Sequence, residues 1–233
     1  TRDELLAHRL VAPERVAVIP NGVHPAYTRE GTAEATRAAA RLLGDYDERA
    51  IELLHVGSTI ERKRIDVLLE VFASVRRKFP RARLVRVGGA FTPAQEAQAT
   101  RLGVRDAIRV LPYVSTEVLA AVYRRAALVL QPSEREGFGL PLVEALACGT
   151  PVVASRLPVL CEVGGTEAVT YCATGETTRW SESVVHLLLE RGDDSASWER
   201  RREACVRRSS QFTWDEYVAK TIALYGEVLA SCG

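Results

Sequence analysis

The chain has 233 residues, 47% of them hydrophobic, enough for one large domain with a sizeable core. Its 31 Lys and Arg nearly balance its 30 Asp and Glu, and the net charge of +1 gives no reason to expect nucleic acid or a strongly acidic partner. Five cysteines (Cys148, Cys161, Cys172, Cys205, Cys232) show no C-x-x-C spacing, and no apolar run reaches membrane length. These features point away from a disulfide framework and toward a reducing, cytoplasmic setting without a signal peptide.

The sequence opens at Thr1 and contains no Met, which reads as a fragment or a processed chain. Residues 16–19 are the first apolar run with strand character, just ahead of Asn21-Gly22-Val23. Residues 51–56 are the second, and they end in the turn Gly57-Ser58-Thr59. Ile65, Leu68, Leu69 and Phe72 then recur at helical spacing. Residues 84–87 form the third strand, before Gly88-Gly89-Ala90. After the turn Tyr113-Val114-Ser115, a second helix is marked by Val118, Leu119 and Val122. Residues 127–130, extended to Gln131, run as a buried strand into a glycine-rich loop. Pro141 suits the first position of the helix that follows, Gly149 stops it, and residues 152–154 give another strand. After about Gly175 come two or three helices, in the last of which Val218, Ile222, Tyr225 and Leu229 share a face.

This alternation predicts an α/β chain: a Rossmann-like, doubly wound parallel sheet with helices on both faces and a helical C-terminal tail. Ligands of such sheets bind beyond the carboxyl ends of the strands, so the functional residues belong in the turns named above and in residues 132–139. None of these loops carries G-x-G-x-x-G or G-x-x-x-x-G-K-[ST], which argues against a dinucleotide dehydrogenase or a P-loop NTPase.

Two clusters stand out. Glu136 and Glu144 bracket Gly137-Phe138-Gly139-Leu140-Pro141, one carboxylate before a helix start and one about a turn inside. Free N–H groups and the positive helix end between them suit an anion that carries hydroxyl groups. Arg62 and Lys63 are adjacent cations at a strand end, placed to meet phosphates. Plainer readings stand beside these. A carboxylate such as Glu144 near a helix start is favoured by the dipole whatever its role. Glu134 reads as solvated, His55 as a hydrogen-bonded core histidine, and Cys148 as a packing residue. Phe138 reads as a core plug whose backbone alone is used.

In order, Asn21-Gly22-Val23, His55-Val56-Gly57-Ser58, Arg62-Lys63, Glu136-Gly137-Phe138-Gly139-Leu140-Pro141, Glu144-Ala145, Cys148-Gly149-Thr150-Pro151 and Glu162-Val163 give the chain its family likeness. Over roughly residues 13–230 it resembles the retaining, two-domain GT-B glycosyltransferases of the glycosyl transferases group 1 family, with Glu136 and Glu144 as the E-x7-E element. The resemblance implies a donor-binding half: 1–24 as a remnant of an acceptor domain and linker, 25–213 as the nucleotide-sugar domain, 214–233 as a helix that packs back on the acceptor domain. That preceding domain would be roughly 150–200 residues, about one more domain.

The donor implied is a GDP- or UDP-linked sugar, with no further cofactor and no metal. Arg62 and Lys63 would neutralise its diphosphate as the glycosidic bond breaks. Glu136 would face the sugar and stabilise positive charge near the anomeric carbon, and the backbone of Gly137, Phe138, Gly139 and Leu140 would meet sugar hydroxyls and phosphate. Glu144 would bind the ribose, Tyr113 and Val114 would lie near the base, and Gly57 and Ser58 would line the diphosphate. Many family members have Arg where this chain has Ser58, which leaves open which cation meets which phosphate. The acceptor would be a glycan or a lipid-linked sugar, and the full enzyme would associate peripherally with a membrane. Ser58 to Lys63 and residues 159–165 lean toward mannosyl- or rhamnosyl-type enzymes of polysaccharide synthesis. Two rivals stand: a non-catalytic sugar-nucleotide-binding subunit, and a different enzyme on the same scaffold, a sugar-nucleotide epimerase or a phosphorylase.

Overall fold

The structure is a computed structural model, and it describes residues 2–44 and 51–231. Cys232 and the outermost residues of the 1–24 and 214–233 segments lie outside the described residues. Six strands form one sheet: β1 (Glu52–Val56), β2 (Arg83–Val87), β3 (Ile108–Leu111), β4 (Leu128–Gln131), β5 (Val152–Ser155) and β6 (Val169–Cys172). Every pairing is parallel and the order is β3-β2-β1-β4-β5-β6. Helices α1 (Arg2–Ala7) and α2 (Ala33–Leu43) precede the sheet. Helices α3 (Ile65–Lys78), α4 (Pro93–Arg101), α5 (Thr116–Arg125), α6 (Leu140–Ala147) and α7 (Pro158–Gly164) connect its strands. Helices α8 (Thr177–Asp193), α9 (Ser195–Ser209) and α10 (Trp214–Ser231) form the tail.

Two of the crossover helices, α4 and α5, start where the sequence offers a side-chain cap. Thr92 accepts from Gln95 N while the Gln95 side chain accepts from Thr92 N, a reciprocal cap with Pro93 directly after it. Ser115 caps α5 by accepting from Val118 N. The core has two layers, one on each face of the sheet. Leu53 and Leu54 are both fully buried, and strand alternation sends them to opposite sides. Leu53 packs with Phe72 of α3 and Trp180 of α8, while Leu54 packs with Tyr123 of α5 and Leu146 of α6. At the amino end of β1, buried Glu52 accepts from Arg125 Nε at 2.6 Å and Nη2 at 2.7 Å, tying the strand to α5.

The structure departs from the apolar-run reading at three places. Residues 16–19 are extended but join no strand among the described residues, and Val18 is exposed. Apolar content does not make a strand without a neighbour to share its backbone hydrogen bonds. The sheet also contains β3 and β6, which lie at its two edges. Each is fully buried only at its ends, with Arg109 exposed in the middle of β3 and Thr170 and Tyr171 half-buried in the middle of β6, so neither reads as a continuous apolar run. The helical tail is present as expected. Along α10 the apolar residues Val218, Ile222, Tyr225 and Leu229 are all exposed.

Truncating Leu54 to Ala would leave a cavity at the centre of the sheet and cost about 2–5 kcal/mol. Urea unfolding checks this: the midpoint falls in Leu54→Ala, with the slope unchanged.

Candidate functional site

The strand order reverses between β1 and β4, where the chain leaves β1 toward one face and β4 toward the other. The loops after these strands therefore part and open a crevice. After β1 the chain passes Gly57, makes a 3-10 turn at Glu61–Lys63 and enters α3. Arg64 joins the two in a left-handed conformation (φ 50°) that non-glycine residues rarely adopt. Its guanidinium holds Asp66 through Nε at 3.0 Å and Nη2 at 2.8 Å.

The loops after β1 and β4 are joined by three hydrogen bonds and a further ion pair. Glu134 N donates to Arg62 O at 2.7 Å, and Arg62 Nη1 donates to Arg135 O at 2.8 Å. Lys63 Nζ donates to Glu136 Oε1 at 2.6 Å, both side chains being over nine-tenths buried. Gln131, the last residue of β4, adds a bond from Nε2 to the same oxygen at 2.9 Å, and Arg62 lies 3.5 Å from Oε2. Burial alone would raise the Glu136 pKa, but the bonds from Lys63 and Gln131 outweigh it and hold the carboxyl below its usual range. Ser133 Oγ faces the carboxylate without making a bond of good geometry. Removing one partner from a pair this buried leaves an uncompensated charge, at a cost of about 3–5 kcal/mol.

Beyond Glu136, Gly139 takes φ 94° and packs so closely that a Cβ would lie 2.5 Å from Leu160. It precedes α6 directly and offers no side-chain cap. The N–H groups of Phe138, Gly139 and Leu140 donate to no acceptor among the described residues, leaving the amino end of α6 open to an anion. The Phe138 ring is half-buried against Phe212, edge-on at 5.6 Å, in line with the packing role read for it.

Glu144 is the fifth residue of α6, past the first turn, so the helix dipole is not what holds it. Tyr123 Oη donates to its Oε2 at 2.8 Å, and the Tyr27 hydroxyl also faces it. Burial raises the Glu144 carboxyl pKa. Of the other expected residues, Tyr113 is exposed at the tip of its turn and Val114 packs on the core. Gly57 and Ser58 sit half-buried at the end of β1. Glu134 is exposed, and Cys148 is buried with its thiol pushed up to about 12 by burial.

His55 is a core residue as read, but its Nδ1 has no hydrogen-bond partner among the described residues. Burial, with Arg86 and Lys63 close by, pushes its pKa down to about 3, so the ring is neutral. Sequence reasoning missed Gln131, Tyr123 and Arg86. Their signal is a polar group on an apolar stripe: a glutamine closing β4, a hydroxyl on the buried face of α5, a charge inside β2.

A family model described as glycosyl transferases group 1 matches residues 44–203. The chain belongs to this family. A D-inositol 3-phosphate glycosyltransferase of Salinispora arenicola is 33% identical over 236 residues, 95% of this chain and 51% of that protein. The chain spans about half the length of the curated relatives it matches. A glycosyltransferase structure from Rickettsia africae superposes with a TM-score of 0.86 at 18% identity, covering 98% of this chain and 61% of the other. An Anabaena protein, HepE, solved in complex with UDP and glucose, superposes at 0.79 with 20% identity, covering 98% and 60%. The expected Rossmann-like fold is thus shared with solved glycosyltransferases. No helix among the described residues is long and apolar enough to cross a membrane.

The buried neutral His55 has a consequence for stability. An unfolded histidine takes up a proton below about pH 6.5, which the folded ring refuses until about pH 3, so stability is full above 6.5 and lost as the pH falls. Between pH 7 and pH 5 this group alone removes about 2 kcal/mol. Urea midpoints at the two pH values, compared between wild type and His55→Leu, should show the drop shrink by about that amount in the variant.

Proposed function

We propose that this chain is the donor-binding part of a retaining glycosyltransferase that moves a hexosyl group from a nucleoside diphosphate sugar to an acceptor hydroxyl. The observation that carries the reading is the junction of the two crevice loops. There Arg62 and Lys63 meet Glu136 beside the N–H groups of residues 138–140, which have no acceptor among the described residues. The two cations outnumber the carboxylate, leaving net positive charge for a diphosphate. That charge acts most as the leaving diphosphate takes up the electrons of the glycosidic bond, so it favours the transition state. In the absence of donor, Glu136 keeps Lys63 in place. With donor bound, its carboxylate faces the sugar, holds a hydroxyl and offsets positive charge at the anomeric carbon.

Glu144 is the ribose residue in this reading, with Tyr123 fixing its orientation, and the Tyr113–Val114 turn borders the base. The diphosphate takes the acceptor's proton on the same face, which gives retention without a protein nucleophile. Arg62 and Lys63 supply the charge, so the binding needs no metal. The donor base is uridine or guanosine, and UDP in the Anabaena structure supports placing uridine first. Residues 58–63 and 159–165 favour a mannosyl- or rhamnosyl-type sugar for polysaccharide. The acceptor, a glycan or lipid-linked sugar, sits on a further domain, for which the open apolar face of α10 offers a contact. The chain by itself binds donor and transfers little sugar.

Calorimetric titration with UDP, GDP, ADP and TDP, with and without magnesium, tests this directly. One diphosphate should bind with equal affinity in both conditions. The double variant Arg62→Ala with Lys63→Ala should bind that diphosphate about 10–100-fold more weakly while keeping its affinity for the nucleoside. Equal loss for both ligands removes the diphosphate role.

Glu136→Gln should bind nucleotide like wild type. Joined to an acceptor domain and assayed with glycan acceptors and with D-inositol 3-phosphate, it should lose about 10²–10³-fold in transfer rate. Unchanged transfer takes Glu136 out of the mechanism, and product formed without any acceptor favours an epimerase.

A further inference from the structure

Arg86 lies inside β2, between Val85 and Val87, and is fully buried. Among the described residues no carboxylate pairs with it. Its hydrogen bonds go to main-chain carbonyls at the crevice end of the sheet: Nη2 donates to Gly57 O at 2.9 Å and to Gly88 O at 3.5 Å, and Nη1 to Gly89 O. The guanidinium also sits 5.2 Å from the centre of the Phe91 ring. Its Nε and the neighbouring His55 Nδ1 have no hydrogen-bond partner among the described residues. Arginine stays protonated even when buried, so the ends of β1 and β2 carry a positive charge that no carboxylate among the described residues pairs with.

All the peptide bonds here are trans, so each C=O points opposite to the N–H of the same peptide unit. Drawing the carbonyls of Gly57, Gly88 and Gly89 toward Arg86 turns the N–H groups of Ser58, Gly89 and Ala90 away from the core. None of these three has an acceptor among the described residues. The two turns are locked together, because Gly57 N donates to Val87 O at 2.9 Å and Gly88 (φ 124°) lies against Gly57, where a Cβ would come within 2.2 Å of the Gly57 oxygen. Outward N–H groups on adjacent glycine turns make an anion-binding concavity.

We propose that Arg86 is a positioning residue that holds these carbonyls inward so that the Ser58, Gly89 and Ala90 N–H groups bind diphosphate oxygens. The proposal rests on the donor-binding reading. It also accounts for Ser58, where the family resemblance has arginine: the positive charge comes from beneath the loop instead of from its surface.

The test is an amide-resolved NMR titration of the ¹⁵N-labelled chain with inorganic pyrophosphate at fixed ionic strength. The Ser58, Gly89 and Ala90 amides should shift along one saturation curve. Arg86→Met should weaken pyrophosphate and nucleoside diphosphate binding about tenfold or more while nucleoside binding changes less than about twofold, and Arg86→Lys should restore part of the loss. The proposal fails if those three amides stay still while residues 138–140 respond, or if folded Arg86→Met binds like wild type. Should Arg86→Met not fold, the wild-type amides decide alone. Nucleoside diphosphate binding with silent amides removes only the Arg86 role, whereas no binding of any diphosphate removes the donor reading with it.

Discussion

The pairing of β1 with β4, Leu53 against Leu128 and Leu54 against Val129, is the contact on which the rest depends. It sets the two halves of the sheet side by side with their strands running the same way, so the loops after both strands emerge at one edge. The chain leaves β1 into α3 on one face and leaves β4 into α6 on the other. Had the strand order not reversed here, both loops would lie over the same face and no crevice would form between them. Lys63 and Glu136 are far apart in sequence and meet only because of this pairing.

A sheet covered on both faces is a poor solvent for charge, and the site exploits that. Glu136 keeps its charge because Lys63 pairs with it and Gln131 adds a further bond. His55, flanked by two cations, gives up its charge instead. Arg86 cannot do so and turns to carbonyl oxygens. In such surroundings each charge acts over a longer reach than it would in water, and small changes in partner geometry are felt strongly. The ordinary mixed surface elsewhere carries exposed pairs such as Arg179 with Glu182, which contribute little.

The fold was legible in the sequence wherever burial is two-sided. The strands around Leu128 and Val153 are continuous apolar runs because both of their faces are covered, and those around Leu53 and Leu84 stay mainly apolar for the same reason, broken by His55 and Arg86. At the sheet edges the rule weakens, and β3 and β6, interrupted by Arg109 and Tyr171, escape it. The opposite error arises at residues 16–19, where composition suits a strand but no pairing exists among the described residues. At the site, the glycine turn, Glu136, Arg62 and Lys63 follow from residue type and position in the pattern. That Lys63 pairs with Glu136 does not, because spacing along the chain says nothing about contacts across a crossover. Tyr123 and Gln131 were hidden for a related reason. A single polar atom on an apolar stripe becomes informative only when the group it faces is known.

The same β1–β4 pairing shapes how the molecule comes to its native state. β1 can pair with β2 soon after both are made, but its other edge waits for β4, which follows much later in the chain. Contacts between distant segments carry a loop-closure cost that must be met before they stabilise anything, so this seam closes late and slowly. Until then β1 presents an unpaired edge, the state in which a parallel sheet is most open to wrong partners. The crevice therefore takes shape only when the central seam shuts, and a chain able to hold its ligand is one that has finished folding.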